Sequence, residues 1–169
     1  MTFNPVINYL QALAFERTRA SITSLAAHSP DLERFLLERG RVWEWRDNPL
    51  PPDVLYRSSN RCYGNAQALA LTDNGYFYAE GWAACDGLQP CAHAWCLDTR
   101  SLAVVDPTWR RERKQRHYFG VVFWTSFIRF FQSCQNLPNQ AVLDWSAEGW
   151  PIQTGKIPSR IWQFDFRQP

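Results

Sequence analysis

The fold is decided by residues 62–82, which read CYGNAQALALTDNGYFYAEGW. The first part, Cys62–Leu71, is rich in Ala and Leu and predicts a helix, which the Asp73-Asn74-Gly75 turn ends. The second part, Tyr76–Trp82, is rich in aromatic residues and predicts a strand. Further strands are predicted at His93–Asp98, Leu102–Val105 and Tyr118–Phe123. Helices followed by strands on short connections are typical of an α+β domain with a mainly antiparallel sheet.

The N-terminal part of the chain predicts helices. Asn4-Pro5 suits an N-cap followed by the first helical position, and apolar residues then recur at helical spacing, which predicts one or two helices over about residues 5–27. Ser29-Pro30 repeats the cap signal before a second helix that ends at Arg39. A short strand at Arg41–Trp45 and a late helix at Trp124–Cys134 complete the predicted elements.

Length and composition favour a single domain. The chain has 169 residues, of which 46% are hydrophobic and 20% charged, enough for one core and too few for two full domains. We divide it into an N-terminal helical part (1–55), a core (57–124) and a C-terminal extension (125–169). A net charge of +2 gives no electrostatic reason to expect nucleic acid or a membrane as partner. Aromatic residues reach 15%, enough to line a substrate cleft as well as a core.

Two features bear on the compartment. The apolar stretch Val6–Phe15 is interrupted by Asn8 and Gln11, and no Lys or Arg precedes Arg17. Neither a signal peptide nor a membrane-spanning helix is therefore predicted. Without an export signal, the five cysteines are expected to be reduced thiols of a cytoplasmic protein, and an odd number suggests that at least one serves chemistry.

Three segments together carry a candidate catalytic constellation. They are RCYGNA at 61–66, HAW at 93–95 and VVDPTW at 104–109. Cys62 falls at the start of the predicted helix, where unpaired N–H groups and the helix dipole stabilise a thiolate. His93 opens one strand and Asp106 ends the neighbouring one, so the imidazole can face the thiol while the carboxylate holds its other nitrogen. Nucleophilic acyl chemistry needs these three roles.

The order Cys, His, Asp, with His-Ala-Trp on one strand and Asp-Pro-Thr after the next, resembles the transglutaminase-like core of the papain-like thiol enzymes. The resemblance covers roughly residues 57–124. It implies a nucleophile-bearing helix packed on the sheet, with Cys62 as nucleophile, His93 as general acid–base and Asp106 as orienting carboxylate. It implies no cofactor.

The same residues also have structural interpretations. A Cys on an Ala-rich helix is usually a core residue, a His on a strand is usually structural, and Asp-Pro after a strand is usually a turn. Their coincidence in one order favours catalysis. The first candidate oxyanion donor is the backbone N–H of Cys62, followed by the side chains of Asn60 and Tyr56, whereas Asn65 is expected to cap or pack. The candidate substrate-binding residues, besides Asn60 and Tyr56, are Glu80, Trp82, Trp95 and Trp109.

Two other interpretations stay open. Cys85, Cys91, His93 and Cys96 form a possible zinc set, although zinc prefers Cys-x-x-Cys pairs and strand alternation puts His93 and Cys96 on opposite faces. We therefore predict no metal. The other interpretation is a non-catalytic module that holds a peptide in the aromatic cleft. The basic run Arg110–Arg116 is expected to be a solvated loop.

The sequence thus favours a cysteine hydrolase or acyltransferase that acts on amide bonds of a peptide or protein through a thioester on Cys62. Water as acceptor would make it a peptidase or amidase, and an amine as acceptor would make it an acyltransferase. The choice depends on how well the cleft excludes water.

Overall fold

The architecture is α+β, as predicted. The computed structural model describes residues 4–23, 32–45, 50–85, 89–110, 116–135, 139–144, 151–152 and 154–162. Its helices are α1 (Pro5–Thr23), α2 (Leu32–Arg39), α3 (Cys62–Thr72), α4 (Thr125–Cys134) and α5 (Ser159–Trp162). Its strands are β1 (Arg41–Trp43), β2 (Tyr76–Cys85), β3 (Cys91–Asp98), β4 (Val104–Val105) and β5 (Arg116–Phe123). Within the described ranges, no helix has both the length and the apolar character needed to cross a bilayer.

The five strands form one sheet in the order β1-β5-β2-β3-β4, and every neighbouring pair is antiparallel. The predicted antiparallel sheet is thus confirmed. Strand β2 lies at its centre, with Gly81 paired to His93 on one side and to Gly120 on the other. A Cβ on Gly120 would lie 2.8 Å from the Trp95 ring, so this glycine makes room for the largest side chain of β3.

The sheet has two faces, which carry alternate side chains of each strand. The helix face packs on the helices; its buried strand residues include Tyr78, Glu80, Ala94, Cys96, Val121 and Phe123. The His93 face carries a second, more aromatic cluster; its buried residues include Trp43, His93, Trp95, Tyr118 and Val122. Because β3 alternates, His93 and Cys96 point to opposite faces.

The N-terminal helices follow the predicted pattern where the structure describes them. The Asn4 side chain caps α1, because its Oδ1 accepts hydrogen bonds from the N–H groups of Val6 at 3.0 Å and Ile7 at 3.2 Å. The helical region, predicted as one or two helices up to about residue 27, is not described after residue 23, and the Ser29-Pro30 cap also lies outside the described residues.

Three predictions differ from the observed structure. The strand expected at Arg41–Trp45 ends at Trp43. The strand expected at Leu102–Val105 is reduced to Val104–Val105, because Leu102 has a φ of 56° and its N–H closes a turn onto the Asp98 carbonyl at 2.8 Å. The basic run expected in solvent reaches into the sheet. Arg116 is buried at the start of β5, and its guanidinium lies 4.1 Å above the Trp45 ring. For this residue the prediction of a solvated loop is wrong.

The C-terminal extension is part of the core. Val142, Leu143 and Ile152 are buried in the cluster between the sheet and the helices. The Gln67 side chain of α3 donates to the Gln140 carbonyl at 2.9 Å, which ties this segment to the helix that Cys62 begins.

Candidate active site

Cys62 lies where the helix face meets the edge of the sheet. It is the first residue of α3, whose body packs on the helix face, with the Cys96 thiol donating to the Ala66 carbonyl at 3.2 Å. Strand β4 pairs only with Cys96 and Leu97, so within the described residues the edge of β3 beside His93 has no neighbouring strand. The Cys62 thiol is hydrogen-bonded to the His93 side chain.

Two contacts fix the His93 ring: a hydrogen bond at its edge and an aromatic ring stacked on its face. Its Nε2 lies 2.8 Å from Asp106 Oδ2, and both side chains are almost completely buried. The Trp109 ring stacks on the imidazole with centroids 4.3 Å apart and planes inclined by 23°. With Nε2 engaged by the carboxylate, Nδ1 is the nitrogen left to face the thiol.

The Asp106 carboxylate accepts hydrogen bonds at both oxygens. Besides His93, Oδ2 accepts the Tyr118 hydroxyl at 2.8 Å. Oδ1 accepts the backbone N–H groups of Thr108 at 2.8 Å and Trp109 at 3.0 Å. Four donors thus fix the carboxylate in position and favour its charged form.

The pKa values of His93 and Asp106 shift in opposite directions. Burial alone would raise the pKa of Asp106, but the His93 charge and the hydrogen bonds hold it below its usual value. Burial alone would lower the pKa of His93, yet the Asp106 charge and hydrogen bond, together with the Cys62 thiol, raise it to about 9. At neutral pH the pair is therefore an imidazolium beside a carboxylate, able to stabilise a thiolate on Cys62.

The start of α3 can bind an oxyanion. Arg61, which precedes the helix, provides no side-chain cap, and the first N–H groups of a helix lack partners within it. The Gly64 N–H donates to Asn139 Oδ1 at 2.8 Å. Asn139 lies so close that a Cβ on Gly64 would be 3.3 Å from Asn139 Cα. The C-terminal segment therefore lies against the start of α3. No local sequence pattern predicts this contact.

The loop before α3 carries two of the predicted substrate-binding residues. Tyr56 and Asn60 are both exposed there, and Asn60 adopts a left-handed φ of 63°. The Arg57 N–H donates to the Pro107 carbonyl at 2.8 Å, which joins this loop to the residues just after Asp106. The loop therefore connects Cys62 with the turn that carries Asp106, and Trp109 covers one face of the His93 ring.

The other three predicted substrate-binding residues differ in where they lie. Trp95 is fully buried, with its ring stacked 6.5 Å from that of His93. Glu80 is buried and Trp82 lies on the helix face, with its ring 5.3 Å from that of Tyr9, so neither of these two is brought to the site. The Glu80 carboxylate accepts the Tyr78 hydroxyl at 2.6 Å and the backbone N–H groups of Val142 at 2.8 Å and Leu143 at 3.0 Å. It anchors the C-terminal segment.

The sequence did not identify two residues that contribute to the site. Tyr118 was predicted only as a strand residue, and Asn65 only as a cap or packing residue. Both act through side-chain contacts with residues distant in the chain. Asp106 and Thr108 occupy a turn whose partners only the folded sheet brings near.

The zinc interpretation gains no support from the geometry. Among the described residues, which include all five cysteines, no group of three His, Cys, Asp or Glu side chains is arranged to hold a metal ion. The Cys96 thiol is directed at α3, and His93 is engaged by Asp106 on the other face.

Comparison with known proteins adds nothing to this geometry. No family model, curated protein or solved structure matches the chain.

Proposed function

We propose that the protein is a cysteine hydrolase or acyltransferase with the transglutaminase-like arrangement of the papain-like thiol enzymes, acting on amide bonds of a peptide or protein. One observation carries the proposal. A buried His93–Asp106 pair, hydrogen-bonded at 2.8 Å, interacts with a half-buried thiol at the first residue of a helix. A purely structural histidine needs neither the thiol nor a carboxylate with four donors.

In the proposed reaction, His93 stabilises the Cys62 thiolate, which attacks the carbonyl carbon of the substrate amide. The N–H groups at the start of α3 stabilise the resulting oxyanion. As the C–N bond breaks, the proton on His93 Nδ1 passes to the leaving amine, and a thioester remains on Cys62. Asp106 holds Nε2 throughout, which keeps Nδ1 directed at the sulfur.

The thioester is then resolved by water or by an amine. His93 accepts a proton from the incoming nucleophile, which attacks the thioester carbonyl, and the C–S bond breaks to restore the Cys62 thiolate. Water yields an acid and amine yields a new amide. The Trp109 ring covers one face of His93 and limits the directions from which water can enter.

The exposure of the five cysteines makes a selective test possible. Cys91 and Cys134 are exposed, Cys62 is half-buried, and Cys85 and Cys96 are buried. If accessibility alone sets the rate, iodoacetamide alkylates Cys91 and Cys134 first. If Cys62 is activated, it reacts first, and its advantage grows as the pH falls to about 6, where ordinary thiols are protonated. Peptide mapping by mass spectrometry measures each rate.

A second arm tests acyl transfer to the thiol. p-Nitrophenyl acetate should place one acetyl group on Cys62, removable by hydroxylamine, and Cys62→Ser should abolish this labelling while the far-UV circular dichroism stays unchanged. A non-catalytic peptide-binding module predicts the opposite result, with the five thiols reacting in the order of their exposure. That result would refute the enzyme proposal.

A further inference from the structure

Asn65 is a buried amide one turn after Cys62 in α3. Its Nδ2 donates to the Ser58 carbonyl at 2.8 Å and to Thr108 Oγ1 at 3.0 Å. An amide nitrogen has two N–H donors, so both are used.

The two partners of Asn65 belong to two different segments of the site. Ser58 is in the loop that leads into Cys62, and Thr108 follows Asp106. The Thr108 backbone N–H in turn donates to Asp106 Oδ1 at 2.8 Å. A continuous path therefore runs from the helix through the Asn65 amide and Thr108 to Asp106, and from there to His93.

The hydrogen-bond path matters because the candidate nucleophile and the His93–Asp106 pair come from different structural units. Cys62 belongs to a helix packed on the helix face, whereas His93 belongs to the other face of the sheet and Asp106 to the turn after β4. Reacting groups must be held close to their productive separation, and a misplacement of about 1 Å can cost roughly 100-fold in rate. Within the described residues, the Asn65 side chain directly joins α3 to the Asp106 turn.

We infer that Asn65 is a positioning residue that sets the separation between the Cys62 sulfur and the His93–Asp106 pair. This inference rests on the proposed function. It assigns to Asn65 an effect on reactivity that its contribution to folding does not explain.

Gln67 provides a matched control on the same helix. Its amide is also buried, but it is directed away from the site: Nε2 donates to the Gln140 carbonyl at 2.9 Å, and Oε1 accepts from Gln132 at 3.1 Å. Asn65→Ala and Gln67→Ala each remove a buried amide that makes at least two hydrogen bonds; Gln67 also bonds the Tyr78 hydroxyl. A comparable loss of thermal stability is expected from both.

The experiment compares the iodoacetamide rate of Cys62 in the wild-type protein, Asn65→Ala and Gln67→Ala, at a temperature where circular dichroism shows all three folded. We expect Asn65→Ala to slow Cys62 by roughly 10- to 100-fold, with Gln67→Ala close to wild type. Equal rates in the two variants would overturn the inference. If Asn65→Ala does not fold, Asn65→Leu keeps a similar volume, removes both donors without adding a charge, and is expected to slow Cys62 in the same way.

A second readout separates this inference from the proposed function. The imidazole N–H proton of His93 that bonds Asp106 gives a low-field NMR resonance, identified by its loss in His93→Ala. We expect Asn65→Ala to shift or broaden it and Gln67→Ala to leave it unchanged; an unchanged resonance in Asn65→Ala would contradict the inference. If wild-type Cys62 reacts no faster than Cys91 and Cys134, the proposed function fails and the inference fails with it. If wild-type Cys62 is selective and Asn65→Ala equally so, only the inference fails.

Discussion

Two carboxylates are buried against the same sheet, and they have different partners. Asp106 meets the side chains of the His93 face and accepts from His93, Tyr118 and two backbone N–H groups. Glu80, on the helix face, accepts from Tyr78 and two backbone N–H groups. The two sites are similar in burial and in neutral donors, and they differ in the imidazole.

The pKa values of the two carboxyls respond in opposite directions. Burial raises the pKa of Glu80 to about 7, although its three hydrogen bonds act to lower it. The pKa of Asp106 is lowered despite equal burial, because the His93 charge is added to its hydrogen bonds. Neutral donors alone therefore do not keep a buried carboxylate charged, whereas an imidazolium does. The cation separates the candidate catalytic carboxylate from the structural one.

Among the variants that test this comparison, we expect Asp106→Asn to have the largest effect. An amide facing Nε2 favours the wrong tautomer of His93, and the analogous change in Ser-His-Asp enzymes costs about 10⁴-fold in turnover. We expect deacylation of acetylated Cys62 to slow by a factor approaching that value. Glu80→Gln is the matched change on the helix face and should leave the rate nearly unchanged while it lowers stability. Equal losses in the two variants would show that reactivity reports only the integrity of the fold.

A second prediction concerns the free energy of unfolding as a function of pH. The folded pKa of Glu80, about 7, exceeds its ordinary 4.5, so the folded state binds more protons than the unfolded state between these values and stability falls as the pH rises. The loss is on the order of 3 kcal/mol at about 1.4 kcal/mol per pKa unit. The His93 pKa, raised from 6.5 to about 9, gives stability that is present below 6.5 and lost as the pH rises through 9. The lowered pKa of Asp106 gives stability that is lost in acid.

Urea unfolding across this pH range separates the three contributions. Glu80→Gln should flatten the decline between about pH 4.5 and 7 and leave the decline toward pH 9 in place. Asp106→Asn should flatten the decline toward pH 9 and the loss in acid. A Glu80→Gln protein that retains the wild-type slope between these lower pH values would show that Glu80 is ionised normally.

The comparison also shows which parts of the molecule were predictable from sequence. Helix α3 and strands β2, β3 and β5 follow from local composition and turn residues, so Cys62 and His93 could be placed on the correct elements. Asp106 could be identified because it directly follows a strand in an Asp-Pro-Thr turn. These features depend on neighbours in the chain.

The features that were missed depend on residues distant in the chain. Glu80 was predicted to contact substrate, since a carboxylate in a strand carries no sign that Val142 and Leu143 will cover it. The burial of Arg116 depends in the same way on Trp45. Asn65 resembles any polar helix residue until the fold places Thr108 opposite it.

The smallest expected effects come from the two tyrosines that donate to the carboxylates. Tyr118 and Tyr78 are fully buried, and burial and the adjacent carboxylate raise the pKa of each phenol, so each keeps its proton and donates it. Tyr118→Phe removes a hydrogen bond to a charged acceptor, and we expect a loss of about 1.5–3 kcal/mol at neutral pH with a modest decrease in the reactivity of Cys62. Tyr78→Phe, measured at about pH 5, removes a bond to a protonated carboxyl and should cost only about 1 kcal/mol.

The pH dependence of stability also distinguishes Tyr78→Phe from Tyr118→Phe. The Tyr78 hydroxyl lowers the pKa of Glu80, so Tyr78→Phe should raise it and shift the decline in stability to higher pH. Cys62 should react close to the wild-type rate in this variant, because the Tyr78 hydroxyl donates to Glu80, which is not part of the His93–Asp106 pair. In Tyr118→Phe, the losses of stability in acid and in alkali should change instead, because the Tyr118 hydroxyl bonds the same Asp106 Oδ2 atom as His93. A decrease in Cys62 reactivity in Tyr78→Phe equal to that in Tyr118→Phe would mean that the two faces are coupled through the sheet. The division between a candidate catalytic and a structural carboxylate would then no longer hold.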